Sequence, residues 1–140
     1  MSDRFFLDTN IFAYSFDQSA SKKSAQAVTL IRKAIETGNG IVSYQVVQEF
    51  VNVALRKFPN RMSYAEADQY LSTTLRPLLA VFPSYGLYTQ ALHLAYRHKL
   101  AWYDSLIVAS AIEGQCAVLF SEDFQNRQEF GNLRIENPFL

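Results

Sequence analysis

Cysteine, histidine and net charge are what this chain has least of. Its one cysteine, Cys116, cannot close an internal disulfide, and the setting Cys-Ala-Val-Leu-Phe reads as a small buried hydrophobe in a reduced protein. The two histidines, His93 and His98, stand at i and i+5 of one expected helix, and with Cys116 they make no pair of zinc-like spacing. Thirteen basic residues balance thirteen acidic ones. A protein that holds nucleic acid by charge alone shows a basic excess, so here bound metal or local basic patches would have to do that work. No run approaches the roughly 20 apolar residues that cross a bilayer. Asp3, Arg4 and Asp8 interrupt the N-terminus before the apolar core of a signal peptide could form. The expectation is a cytoplasmic protein with no membrane partner. Without repeats, linkers or low-complexity segments, residues 1–140 read as one domain.

What is there alternates. Arg4 to Leu7 reads as a first strand and Ile11 to Phe16 as a brief helix. From Ser24 to Thr37 the apolar residues recur at helical spacing until Gly38 and Gly40 close the helix. Gly40 to Ser43 reads as a second strand, and Tyr44 to Lys57 as a helix ended by Pro59 and Asn60. Ser63 and Glu66 match a capping box, and Pro77 predicts that the helix they open stops by Leu75. Leu78 to Phe82 reads as a third strand. Ser84 caps a helix to about His98, and Asp104 to about Glu113 reads as another helix, stopped by Gly114. Ala117 to Phe120 reads as a buried strand, and Leu133 to Glu136 as a last, edge strand. Strands alternating with helices predict a three-layer α/β/α fold around a mainly parallel sheet.

Four acids stand at suggestive places in that pattern: Asp8 in Phe-Leu-Asp-Thr-Asn, Glu49 in Gln-Glu-Phe, Asp104 in Trp-Tyr-Asp-Ser and Asp123 in Ser-Glu-Asp-Phe. Singly, Asp8, Asp104 and Asp123 are explained by turns or helix caps. Glu49 lies inside a helical pattern, where capping has no use for it. An open parallel sheet gathers its ligand crevice at the carboxyl ends of its strands, and four converging carboxylates repel unless a divalent cation lies between them. Oxygen-only sets suit Mg²⁺ or Mn²⁺, which points to chemistry on phosphodiesters.

The same segments resemble a known family. Phe-Leu-Asp-Thr-Asn is similar to the opening motif of the PIN-domain ribonucleases. Tyr-Gln-Val-Val-Gln-Glu-Phe-Val-Asn-Val resembles their second motif, Trp-Tyr-Asp-Ser-Leu-Ile-Val-Ala-Ser-Ala the third and Leu-Phe-Ser-Glu-Asp-Phe the fourth. The ending Leu-Arg-Ile-Glu-Asn-Pro-Phe is similar to the close of many bacterial members. The resemblance covers the chain in order, and its length is that of the VapC-type toxins of toxin–antitoxin pairs. It implies a Mg²⁺- or Mn²⁺-dependent endoribonuclease in which Asp8, Glu49, Asp104 and Asp123 are catalytic and Asp8, Asp104 and Asp123 hold metal. Asn10 and Ser121 then match supporting polar positions, while Glu122 falls outside the pattern. It also implies an RNA substrate, a cognate antitoxin and a homodimer. Some relatives carry a further acid near the third motif, and none occurs here between Ala91 and Tyr103.

Arg56, Lys57 and Arg61 follow the Glu49 helix as candidate RNA phosphate contacts, and for Arg56 and Lys57 simple placement at a helix end explains them equally well. Phe58, Tyr64 and Tyr70 nearby read as base-stacking, core or interface residues. Two competing functions remain open at this stage. One is a catalytically silent RNA- or protein-binding module of the same fold. The other is an aspartyl phosphatase or receiver, against which Asn10 stands where a second Asp is wanted.

Overall fold

Phe5, Phe6 and Leu7 are all buried, and in the computed structural model, which describes residues 2–140, they form the central strand β1 (Phe5–Leu7). An unbroken apolar run is what a parallel strand covered on both faces requires. The further strands are β2 (Gly40–Ser43), β3 (Leu79–Val81), β4 (Val118–Phe120), β5 (Glu129–Phe130) and β6 (Leu133–Glu136). Their order in the six-stranded sheet is β3-β2-β1-β4-β6-β5. Every pairing is parallel except that of β5 with β6.

That order has a functional consequence. From β1 the chain moves outward through β2 to β3, then returns to lay β4 on the other side of β1. The strand order reverses between β1 and β4, and a crevice opens beyond the carboxyl ends of strands at such a reversal. Asp8 directly follows β1 and Ser121 directly follows β4.

The helices are α1 (Thr9–Tyr14), α2 (Ser21–Thr37), α3 (Tyr44–Arg56), α4 (Tyr64–Tyr70), α5 (Arg76–Leu78), α6 (Tyr85–His98) and α7 (Trp102–Glu113). Helix α2 packs on α1 and β2, and α3 on α1 and α4, whereas α6 and α7 pack on each other and α7 lies against β2 and β4. Ser105 to Ala111 of α7 are buried without a break, so this helix is apolar all round and belongs to the core. Ser110 tolerates that burial because its hydroxyl donates to the Leu106 carbonyl at 2.7 Å. Gly38 ends α2 in the left-handed region at φ 71°, the usual place for glycine after a helix.

The strand Gly40–Ser43 and the caps at Ser63 and Ser84 stand where the sequence places them. Two expectations are corrected. The helix opened by Ser63 does not stop at Leu75: it passes through a π-helical turn (Leu71–Leu75) and continues as α5 to Leu78. Proline bars an α-helix because it removes a hydrogen bond and its ring strikes the carbonyl four residues back. The wide turn, in which the Arg76 N–H donates to the Leu71 carbonyl, shifts the register just before Pro77 and lets the helix through. Second, β6 is not the edge. The two-residue β5, too short to show a period, pairs outside it through Glu129 with Arg134 and Phe130 with Leu133.

Candidate metal centre

Asp8 is the most constrained acid of the chain, only 5 % exposed. It is the N-cap of α1, and one carboxylate oxygen accepts from the Thr9 N–H at 2.7 Å. The other accepts from the Ser121 hydroxyl, also at 2.7 Å, across the sheet reversal. Ser121 is wholly buried, and its oxygen accepts in turn from the Asp123 N–H at 3.1 Å. Asn10, two residues into α1, donates its amide to Asp123 at 3.1 Å. The ends of β1 and β4 are thus tied by Asp8–Ser121 and Asn10–Asp123. Capping describes one oxygen of Asp8 and leaves the other unexplained.

For the other two aspartates capping fails outright. Asp104 lies in the first turn of α7, but Ala101 is the N-cap, and among the described residues the Asp104 carboxylate accepts no hydrogen bond. Asp123 precedes bends and turns rather than a helix. Glu49, half-buried on α3, is gripped from two sides. Thr9 donates its hydroxyl to Oε1 at 2.6 Å, and Gln45, one turn back on the same helix, donates its amide to Oε2 at 3.2 Å.

Asp123 and Glu49 each repel both Asp8 and Asp104. Burial pushes Asp8 up from about 3.8 to about 7, with Asp123 and Glu49 adding repulsion against the hydrogen bonds from Ser121 and Thr9. Asp104 is raised by burial, then by Asp123 and Glu49. Asp123 is raised by burial, then by Glu122 and Glu49, while the Asn10 amide opposes the shift. Among the described residues no lysine or arginine is paired with any of the four; the salt bridges are Lys23–Glu122 and Arg134–Glu136.

A hard cation fits this set in two respects. All the donors are oxygens, and the buried Oδ1 of Asn10 has no hydrogen-bond partner. Among the described residues, however, no three acidic, histidine or cysteine side chains are grouped so as to hold one metal ion between them. Mg²⁺ needs no such group, because it keeps several waters and takes one or two carboxylates directly.

The basic residues expected as phosphate contacts are not gathered with the acids. Arg56 and Lys57 lie seven and eight positions beyond Glu49, on the order of 10 Å along α3, and both are exposed at its C-terminal end. Arg61 lines a cavity of about 890 Å³ that reaches Asn10 and Glu122. Phe58 and Tyr70 belong to an aromatic cluster with Phe16 and Phe50, so the core reading holds for them, whereas Tyr64 is 82 % exposed. His98 packs edge-on against Phe130, and Cys116 is buried, its thiol pushed up to about 12 by burial. Glu122 is engaged elsewhere, accepting from the Tyr14 hydroxyl at 2.6 Å and from Lys23 at 3.2 Å. Two contributors escape sequence reading: Thr9 and Gln45. Their only signal is position, Thr9 between Asp8 and Asn10 and Gln45 four residues before Glu49.

The comparisons with known proteins agree with this topology. The family model of the PIN domain matches residues 5–128, and the chain belongs to that family. The fold is similar to a toxin–antitoxin complex from Klebsiella pneumoniae, at TM-score 0.66 and 17 % identity, over 95 % of this chain and 96 % of that one. It is similar to FitAcB from Neisseria gonorrhoeae at TM-score 0.65 and 17 % identity, over 96 % of this chain and 98 % of that one. It is also similar to VapC20 of Mycobacterium tuberculosis, a sarcin-ricin loop cleaving toxin, at TM-score 0.59 and 20 % identity, over 85 % and 91 % of the two chains. No curated protein matches the sequence.

Proposed function

We propose that this chain is a Mg²⁺- or Mn²⁺-dependent endoribonuclease that hydrolyses RNA phosphodiester bonds, and that it is the toxin of a type II toxin–antitoxin pair. The observation that carries the reading is that Ser121, Asn10 and Thr9 link Asp8, Asp123 and Glu49 beside the strand-order reversal, that Asp123 and Glu49 repel Asp104, and that among the described residues no lysine or arginine is paired with any of the four. A structural cluster would gain nothing from concentrated negative charge.

Asp8 and Asp104 are the first ligands in this reading, with Asp123 a further ligand, direct or through water. A bound divalent ion supplies an acidified water and polarises the phosphoryl group. Ser121 and the Thr9 N–H fix the rotamer of Asp8, and Asn10 fixes that of Asp123. Thr9 and Gln45 hold Glu49 where it can orient the attacking water or accept its proton. Arg61, which lines the same cavity as Asn10, is the basic residue best placed to meet a phosphate, with Arg56 and Lys57 at the end of α3. The substrate, the cognate antitoxin and a homodimer follow from likeness to toxin–antitoxin proteins, as does a cytoplasmic location. Among the described residues no helix is long and apolar enough to cross a membrane.

The test is digestion of total cellular RNA by the purified protein with Mg²⁺ or Mn²⁺, followed by sequencing of the fragment ends. Defined ends that disappear in Asp8→Asn and on chelation are expected. Cleavage unchanged in that variant overturns the reading. One observation favours a silent binding module instead, namely that among the described residues no three acids are grouped so as to hold one metal ion. Calorimetry decides between the two, since a silent module gives no heat with Mn²⁺.

A further inference from the structure

We propose that the aromatic pocket flanking the metal centre is a nucleobase subsite, which takes an unpaired base next to the scissile phosphate. This inference rests on the ribonuclease reading above. The pocket, of about 350 Å³, lies beyond the ends of β2 and β3, walled by the starts of α3 and α7 and by α6. Two aromatic pairs line it: Tyr44 with Phe82, ring centroids 6.0 Å apart, and Tyr88 with Trp102, 6.3 Å apart. All four rings keep more than a third of their surface exposed. Gln45 and Gln48 add amide groups to the wall, and among the described residues no charged side chain lines it. Flat apolar faces beside neutral hydrogen-bonding amides match a base, whose faces stack and whose edge carries donors and acceptors.

Continuity with the acids fixes which occupant fits. Gln45 donates both to Glu49 at 3.2 Å and to the Tyr103 carbonyl at 3.3 Å, so one side chain belongs to the centre and to the pocket wall. Trp102 stands two residues before Asp104. A chain whose phosphate sits at the carboxylates has two flanks along which to run. The other flank is the cavity of about 890 Å³, where Asp17, Glu66 and Glu122 face the single Arg61. That lining suits a backbone phosphate at Arg61 rather than a neutral base, while the uncharged aromatic flank suits the base.

Trp102 is the only tryptophan of the chain, so its emission reports this pocket directly. The probe is a 20-nucleotide RNA centred on the cut mapped in the digestion, with companions abasic at each nucleotide beside the cut. Tyr88→Ala and Trp102→Ala are expected to raise KM about tenfold on the intact RNA, with kcat within twofold and Trp102→Phe close to wild type. One abasic position should cost the wild-type protein the same factor and cost the alanine variants nothing more. The intact RNA should quench the emission of Trp102 and that abasic RNA should not. Losses that simply multiply, or emission indifferent to the base, overturn the subsite while cleavage keeps the ribonuclease reading standing. Absence of any cleaved RNA overturns both. If the alanine variants instead halve the sedimenting mass, and activity returns at higher protein concentration, a second copy of the chain covers the pocket and the nucleobase is excluded.

Discussion

Asp8 holds the most unfavourable charge in the protein, and two measurements on one substitution separate its structural and chemical roles. In the metal-free fold its carboxyl titrates near 7 because burial disfavours the anion. The unfolded chain gives up that proton near the ordinary value. From about pH 4 to about pH 7 the unfolded state is therefore favoured by about 1.4 kcal/mol for each unit. Metal-free protein should resist urea better at pH 5 than at pH 8, and Mg²⁺ or Mn²⁺ should restore the loss at pH 8. Asp8→Asn should be more stable than wild type at pH 8 without metal, because Asn can still accept from the Thr9 N–H and donate to Ser121. Cleavage should nevertheless vanish. Equal melting of the two proteins at pH 8 would show that Asp8 is not held as a buried anion. Thr9 offers the complementary case. Thr9→Val keeps the shape but removes the 2.6 Å hydrogen bond to Glu49, and a lost orienting partner costs roughly ten- to a hundredfold in activity. A drop in kcat with unchanged thermal stability is expected, and an unaltered kcat would remove Thr9 from the machinery.

At the scale of elements, most of what the sequence shows is written in short-range chemistry, and what it hides is not. The cap at Ser63 is legible because both halves of its reciprocal bond are three residues apart, Glu66 N–H to the Ser63 hydroxyl at 3.1 Å and Ser63 N–H to Glu66 at 2.8 Å. Ser63→Ala should cost about 1 kcal/mol, read as a lower urea midpoint with an unchanged slope. The passage of a helix through Pro77 is not legible, because nothing in residues 71–75 marks a π-turn; packing of Leu75 and Leu78 into the core selects it. The same holds for β5, which exists only because β6 offers it a partner. Of the candidate site, the four acids and their two polar supports could be read from short motifs, at strand ends for Asp8, Asn10, Ser121 and Asp123 and on helices for Glu49 and Asp104. Thr9 and Gln45 could not, since their partnership with Glu49 depends on how α1 and α3 pack.

The whole molecule is organised so that close packing behind the sheet leaves its carboxyl edge open, and Gly40 is where that packing is tightest. A Cβ there would stand 2.1 Å from the Ala34 Cβ and 2.7 Å from its Cα, with the Phe5 ring at 2.9 Å. The backbone of α2 and the side chain of the central strand therefore meet β2 with no space between them. Two of those three atoms belong to a short, rigid residue that has no rotamer to give, so the whole of α2 must shift to admit a methyl group. Overpacking of this kind costs about 1–3 kcal/mol, or more when backbone moves. Gly40→Ala should lower the urea midpoint by more than Ser63→Ala does, although it adds an atom rather than deleting one. Because β2 leads straight into Ser43 and the start of α3, a shifted strand would carry Glu49 with it. The variant should then lose activity below the temperature at which it unfolds, with Mn²⁺ affinity by calorimetry falling in step. If Gly40→Ala melts lower yet binds Mn²⁺ and cleaves as the wild type does, the metal centre is uncoupled from the packing behind it, and Glu49 is held by Thr9 and Gln45 alone.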